Sequence, residues 1–161
     1  ANIQGVFGEK TEAAAKEFQN TLTQRGLTQE NALKASAAVG NLAGAAGFEP
    51  EDIQQAMSNV IVKMHNGANA TTAFQAAMDN ARIKGISLAT SIQQVTIAAE
   101  GSLKSLRQFG ITTNKDVNGN LKTEAQLLKE IKENTKGGLE TYMKTPLGMI
   151  DRMKVALEEL K

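Results

Sequence analysis

The stretch RGLTQENALKASAAVGNLAGAAGFEPEDIQQAM, residues 25–57, contains the pattern that decides the fold. Gly26 and Gly47 are each followed by an apolar residue, and an alanine-rich segment without proline lies between them. Glycine takes the left-handed conformation that ends a helix, and the apolar residue after it folds back onto the last turn. Pro50 then suits the first turn of the next helix. The stretch therefore predicts short helices joined by tight turns.

The same signal recurs along the chain and divides it into helical segments. Gly85 and Gly110 are each followed by isoleucine. Between the glycines, apolar residues recur at the three- and four-residue spacing of an amphipathic helix. One such group is Ile53, Met57, Ile61 and Met64, and the last is Ile150, Met153, Leu157 and Leu160. We expect an all-α protein, a compact bundle of about seven helices in a single domain over residues 1–161. The final helical pattern has no stop signal, which indicates a domain excised from a longer chain.

Residues 111–122 interrupt the helical pattern. The segment ITTNKDVNGNLK has no helical period and contains Asn118-Gly119, a pair that favours a type I′ turn with positive φ at both positions. We therefore predict one short β-hairpin in this region. Thr123, with Gln126 three residues later, predicts a capping box at the start of the next helix.

The composition excludes several classes of function. Hydrophobic residues make up 41% of the chain and aromatic residues only 4%, which predicts a core of aliphatic and methionine side chains. The net charge is +1 and no run of like charges occurs, so the basic surface that nucleic acid requires is missing. The absence of cysteine excludes disulfides and thiolate metal sites. The longest uncharged stretch is too short to span a membrane, so we expect no membrane contact.

One short segment and the single histidine resemble parts of metal sites only superficially. Four residues match the first half of a calcium-binding EF-hand loop: Asn114, Asp116, Asn118 and Gly119. The position that should supply a bidentate carboxylate is Ala125, so we interpret the four as a turn. His65 is the only histidine, and its place at a helix end favours an interaction with the helix dipole over a zinc site.

No residue stands out as catalytic. Glu100 is a conceivable general acid for glycan hydrolysis, but no second carboxylate and no aromatic sugar platform accompany it. Four basic residues are interpreted as solvated charges: Arg82, Lys84, Lys104 and Arg107. We predict no enzymatic activity, cofactor, metal or small-molecule ligand. The residues singled out are structural turns, namely Gly26, Gly47, Gly85, Gly110, Asn118 and Gly119.

Three stretches resemble the tail tape measure proteins of long-tailed phages and prophages. The first is ENALKASAAVGNLAGAAGFEPEDIQQAM, an alanine-rich helix, a glycine-aromatic turn and an acidic helix start. The second is SLKSLRQFGITTNKDVNGNLKTEAQLLKEI, in which a polar turn region separates two helices. The third is TKGGLETYMKTPLGMIDRMKVAL, which is similar to the element that precedes the amphipathic part of such proteins. Together they cover most of residues 28–157.

The resemblance implies a structural role in the virion. Tape measure proteins set the tail length, serve as a scaffold for assembly of the tail tube, and leave through the tube ahead of the DNA. The implied partners are the tail tube, other tape measure subunits and tail assembly proteins. The implied location is the tail lumen, after assembly in the bacterial host cytoplasm. Two alternatives remain, a bacterial helical module that receives a partner peptide on its third and last helices, and a muralytic domain that uses Glu100.

Overall fold

The computed structural model describes residues 9–159 of the chain. Within this range the chain forms nine α-helices, and the all-α class is confirmed. Their bounds are α1 (Glu9–Gln24), α2 (Gln29–Ala45), α3 (Pro50–Lys63), α4 (Gly67–Lys84), α5 (Leu88–Ala99), α6 (Leu103–Arg107), α7 (Glu124–Thr135), α8 (Gly138–Met143) and α9 (Pro146–Glu159).

The two helices beyond the predicted seven have local causes. The helical segment between Gly85 and Gly110 is divided into α5 and α6 at Gly101, which has a φ of 98°. A residue with positive φ cannot continue a right-handed helix, and glycine adopts this φ without a steric penalty. The short α8 follows Gly137, whose φ of 87° separates it from α7.

The helix at the centre of the bundle is α4, which contacts α1, α2, α3, α5, α7 and α8. It buries nine residues, of which six are alanine or glycine. Small side chains allow neighbouring helices to approach closely from several directions. Phe74 is the largest buried side chain of α4, and its ring centroid lies 6.0 Å from that of Phe18 on α1. The core is therefore aliphatic with few aromatic residues.

The predicted glycine turns lie between helices. Gly26, Gly47, Gly85 and Gly110 have φ values of 110°, 84°, 66° and 74°. After each of them, the next amide returns to a carbonyl of the preceding helix, as in the bond from Phe48 N to Ala43 O at 3.1 Å. These bonds satisfy carbonyl groups that the helix ends leave without an intrahelical partner.

Side chains cap the beginnings of several helices. Thr123 and Gln126 form the predicted capping box, with bonds of 3.2 and 2.8 Å between side chain and backbone. Asp52 on α3 accepts from the amides of Leu88 and Ala89 at 2.7 and 2.9 Å, and thus connects α3 to the start of α5. A carboxylate at this end also interacts favourably with the helix dipole.

The predicted β-hairpin at residues 111–122 is wrong as a two-stranded element. A single antiparallel bridge joins Lys115 to Leu121, and no strand forms among residues 9–159. The Lys122 amide donates to the Asn114 carbonyl at 2.8 Å, so the chain does reverse its direction here. Threonine, lysine and asparagine dominate both arms and give them no apolar face to bury, so the pairing stops after one bridge.

The turn type was also predicted incorrectly. Gly119 has a φ of 82°, but no residue other than glycine has positive φ in the described range, so Asn118 does not fit a type I′ turn. Instead, the Gly119 amide donates to the Asp116 carbonyl at 3.0 Å, as in a type I turn followed by a left-handed glycine. The Asp116 carboxylate accepts from the amides of Asn118 and Asn120 and favours this alternative.

Candidate protein-interaction surface

The last helix, α9, packs against the bundle with its less apolar side. Gly148 and Val155 are buried. The large apolar residues are 52–66% exposed: Leu147, Met149, Ile150, Met153 and Leu157. At about 100° per residue, the centre of these five residues lies roughly 170° away from the direction of Gly148 and Val155. We call the five residues the outward stripe.

Exposure of this apolar group is costly. Full burial of a leucine, isoleucine or methionine side chain stabilises a protein by roughly 1.5–3 kcal/mol. Single exposed apolar residues are common on protein surfaces, but a contiguous group marks a contact surface. The outward stripe includes three predicted members of the apolar face, Ile150, Met153 and Leu157. The fourth predicted member, Leu160, lies outside the described residues.

A polar contact around Arg82 on α4 holds α9 in this orientation. The guanidinium carbon lies 3.9 Å from the ring centroid of Phe48 and 4.0 Å from that of Tyr142. Its Nη2 atom donates to the Ala46 carbonyl at 3.0 Å. The Tyr142 hydroxyl donates to the carboxylate of Asp151 on α9. A cation between two aromatic faces is attracted by both, so these contacts connect α4 to α8 and α9.

Burial shifts the protonation equilibria of this contact. It lowers the pKa of Arg82, while Tyr142, Asp151 and Asp52 act in the opposite direction. Burial also raises the pKa of Tyr142, and its hydrogen bond to Asp151 adds to the shift. Arginine nevertheless stays protonated in proteins, and the phenol stays neutral at physiological pH. The contact therefore joins a cation, a neutral hydroxyl and a carboxylate.

Two glycines allow the close approach of α9. A Cβ atom at Gly47 would lie 2.9 Å from the backbone nitrogen of Arg152, and a Cβ atom at Gly148 would collide with the Tyr142 carbonyl. Gly47 also has the positive φ of a helix end. The small residues thus lie where α9 meets the bundle, and the large apolar ones lie on its outer side.

The third helix, α3, does not expose its apolar face as α9 does. Ile53, Met57 and Met64 are buried in the core, and Ile61 packs partly against it. The apolar face of α3 is therefore unavailable to a partner peptide in this fold. The prediction that the third and last helices both offer a receiving surface is wrong for the third.

The residues considered for chemistry do not come together. Glu100 is exposed at the end of α5, without the apolar surroundings that the role of general acid requires, and His65 is exposed between α3 and α4. The Asn114 side chain donates to the Gly101 carbonyl at 2.9 Å, and Ala125 is exposed on α7. In the described part of the chain, no three His, Cys, Asp or Glu residues are grouped as a metal site would require.

Two open cavities adjoin the C-terminal helices. One, of about 430 Å³, lies beside Arg82 and is lined by α4 and α8 with the linker at Lys136. The other, of about 410 Å³, lies along α7 and contains the ion pair of Lys122 with Glu130 at 3.0 Å. Both have walls of mixed polarity. Neither one brings an acid, a base and a nucleophile into hydrogen-bonding contact.

Sequence reasoning missed the role of Arg82. We interpreted it as a solvated charge, but it is half-buried between two aromatic rings. Lys84 also contacts an aromatic ring, since its Nζ lies 4.8 Å from the centroid of Phe109. The only signal in the sequence was that aromatic residues are scarce and that Tyr142 is the sole tyrosine. Which ring would meet which cation depends on the packing of distant helices.

Comparison with known proteins adds no family to these observations. The chain matches no protein-family model, no curated protein and no solved structure. Across the described helices, none combines the length and apolar character needed to cross a membrane.

Proposed function

We propose that the chain is a non-enzymatic, structural segment of a phage tail tape measure protein. In this role it contributes to tail length determination and tail tube assembly, and leaves the tail during DNA ejection. It acts in the tail lumen of the virion after assembly in the host cytoplasm. Its partners are the tail tube, other tape measure subunits or tail assembly proteins. The observation that carries the proposal is the outward stripe of α9, which is apolar surface suited to assembly.

The fold supports a particular version of this role. Helices of 5 to 18 residues are folded back on one another, and α4 is enclosed by six of them. A straight helix transmits length at about 1.5 Å per residue, whereas a folded bundle loses that reach. We therefore propose that the segment is a compact module beside the ruler and is not part of the ruler itself.

Two in-frame deletions of fourteen residues in the parent phage test this proposal. The first removes residues 71–84, most of the central α4, and the second removes residues 146–159, the peripheral α9. We expect loss of residues 71–84 to unfold the module and abolish tail assembly. Loss of residues 146–159 should leave the remaining bundle helical in circular dichroism of the purified chain. Electron microscopy of tails then measures their number and length.

The result that contradicts the compact module is specific. If this segment is part of the ruler, both deletions give abundant tails that are shorter by roughly 21 Å, at about 1.5 Å per residue. Mass spectrometry of purified wild-type tails tests the family assignment separately. Absence of the chain from the virion and from assembly intermediates would refute the tape measure role.

The second candidate is a helical protein-interaction module in a bacterial protein without a virion role. The exposure of the outward stripe favours it equally, because this surface suits any protein partner. The genomic position of the coding sequence discriminates the two. A long open reading frame between tail tube and distal tail genes supports the tape measure role, and any other position supports the second candidate.

A further inference from the structure

The chain contains two Asn-Gly pairs, Asn66-Gly67 and Asn118-Gly119, and the structure gives them different surroundings. In such a pair the backbone nitrogen of the glycine can attack the side-chain amide of the asparagine, because glycine has no Cβ to hinder the approach. Both asparagines are exposed, whereas Gly67 is buried and Gly119 is exposed. The two pairs therefore have the same reactive groups but different freedom to bring them together.

The pair Asn118-Gly119 lies at the tip of the reverse turn and is held by the turn alone. A Cβ atom at Gly119 would meet nothing within 4 Å, so the space beside this residue is open. The Asn118 side chain forms no hydrogen bond to the described residues. The Gly119 amide donates to the Asp116 carbonyl at 3.0 Å, and the Asn118 amide donates to the Asp116 carboxylate at 2.9 Å. Opening these two bonds frees the pair without disturbing a helix.

The pair Asn66-Gly67 belongs to the start of the central helix α4. The Asn66 side-chain oxygen accepts from the Asn69 amide at 3.0 Å, and the Gly67 amide donates to the Arg25 carbonyl at 3.1 Å. A Cβ atom at Gly67 would lie 3.0 Å from the Leu22 carbonyl oxygen. To reach each other, the Asn66 side chain and the Gly67 nitrogen have to leave these contacts and unwind the first turn of α4.

We propose that Asn118 is a site of spontaneous deamidation in the folded protein, and that the fold protects Asn66 from the same reaction. The Gly119 backbone nitrogen gives its proton to water or hydroxide and forms a bond to Cγ of Asn118, while the bond from Cγ to Nδ2 breaks. Nδ2 takes up a proton and leaves as ammonia, and a succinimide ring remains. Water then opens the ring at either carbonyl and gives aspartate or isoaspartate. Asparagine and water are thus converted into a carboxylic acid and ammonia, without an oxidant.

The modification changes the reverse turn in both charge and backbone length. Each conversion adds a negative charge close to the Asp116 carboxylate, and the two like charges repel each other. Isoaspartate also places one more carbon in the backbone, between the residues of the single bridge from Lys115 to Leu121. We expect both changes to loosen the turn. The reaction requires only this chain and water, so the proposal is independent of a role in a phage tail.

Incubation of the purified full chain at neutral pH, folded in one sample and denatured in concentrated urea in the other, tests the proposal. Trypsin cleaves after lysine and arginine, and it therefore separates the two pairs into peptides 64–82 and 116–122. Mass spectrometry of the two peptides measures the rate at which each asparagine is converted. The rate in urea is the control for each pair, because it gives the reactivity of the same sequence without the fold.

We expect folding to slow the conversion of Asn118 by roughly tenfold, since two hydrogen bonds have to open. The slowing at Asn66 should be at least about ten times greater, since a turn of a packed helix has to unwind. Equal slowing at the two pairs, faster conversion of Asn66, or slowing of Asn118 by more than about 100-fold would overturn the proposal.

The variant Asn118→Gln identifies the reacting residue, because Asn120 lies in the same tryptic peptide. Glutamine closes the larger ring more slowly, so the acidic form of peptide 116–122 should disappear from the folded variant. Asn118 is exposed and its side chain has no partner among the described residues, so circular dichroism should show an unchanged helical fold. Persistence of the acidic peptide at the rate of the unsubstituted chain would assign the reaction to Asn120 and refute the proposed site.

Discussion

The helices α4 and α9 have the same kind of sequence pattern but opposite placements. Both have large apolar residues at helical spacing, Phe74 and Met78 in α4, and Ile150, Met153 and Leu157 in α9. In α4 these residues are enclosed by the bundle, whereas in α9 they face away from it. The two helices share this periodicity because burial stabilises an apolar face in either position. The comparison shows that an amphipathic pattern identifies a burial surface without identifying what buries it.

The largest expected difference between the two helices is in the free energy of unfolding, when one large apolar side chain in each is truncated to alanine. Phe74→Ala should lower the free energy of unfolding by about 3–5 kcal/mol, because Phe74 is fully buried and its loss leaves a cavity beside Phe18. Met153→Ala should change it by at most about 0.5 kcal/mol. Denaturant unfolding of the full chain measures both values. A loss of more than about 1.5 kcal/mol for Met153→Ala would show that the stripe is already packed, and the comparison would fail.

An intermediate effect is expected where the two helices are connected. Arg82→Met removes the cation between Phe48 and Tyr142 and the donor to the Ala46 carbonyl, and keeps the length of the side chain. We expect a loss of about 1–3 kcal/mol, the sum of cation–π and hydrogen-bond contributions. Amide hydrogen exchange should accelerate in α8 and α9 and stay unchanged in the middle of α4.

The control for this prediction is Arg107→Met, which removes an exposed guanidinium at the end of α6. It should leave exchange in α9 unchanged. Uniform acceleration across all helices after Arg82→Met would indicate that the residue stabilises the whole bundle. In that case the distinction between an enclosed α4 and a separately attached α9 would be lost.

The smallest effect concerns Asp79, on the side of α4 that faces α8. Burial raises its pKa above the ordinary value of 3.8, although the bond from the Leu139 amide, at 2.8 Å, and Lys132 act in the opposite direction. The native state then binds this proton more tightly than the unfolded chain does. The contribution of Asp79 to stability is therefore greatest below pH 3.8 and is lost as the pH rises through the raised value.

Asp79→Asn should remove this pH dependence. An asparagine oxygen still accepts from the Leu139 amide but carries no charge to desolvate. The difference in unfolding free energy, variant minus wild type, should increase from pH 3.8 upward and become constant above the pKa of the folded state. Denaturant titrations between pH 3 and 8 provide the measurement. If the unfolding free energies of the two proteins followed parallel curves against pH, burial would not raise the pKa of Asp79.

Local signals predicted the helices well. Glycine stops, the proline at the start of α3 and the capping box at Thr123 depend on residues within one turn of one another. The turn type was predicted incorrectly because the pair Asn118-Gly119 permits more than one turn. The Asp116 carboxylate, which precedes the pair, stabilises the turn that places only the glycine at positive φ. The competing local interaction prevailed over the usual preference of the pair.

The sequence predicts which residues form the apolar face of the last helix, but not the direction in which that face points. The spacing of Ile150, Met153 and Leu157 identified the apolar face of the last helix. Its outward direction depends on Gly148 and Val155, which form the inner face, and on the polar contact between Tyr142 and Asp151. These are contacts between separate helices, and a pattern within one helix contains no information on them. Arg82 was misassigned for the same reason.

The sandwich of Arg82 between Phe48 and Tyr142 also has a mechanical consequence. Tension on the carboxyl end of α9 would load Val155, the Asp151 hydrogen bond and the Arg82 contact one after another, as in peeling. The same tension on α4 would have to shear all of its neighbours together, which needs a larger force. The last helix therefore yields before α4. It can extend the module by about 21 Å, at about 1.5 Å per residue over its fourteen residues, while the bundle behind it stays folded.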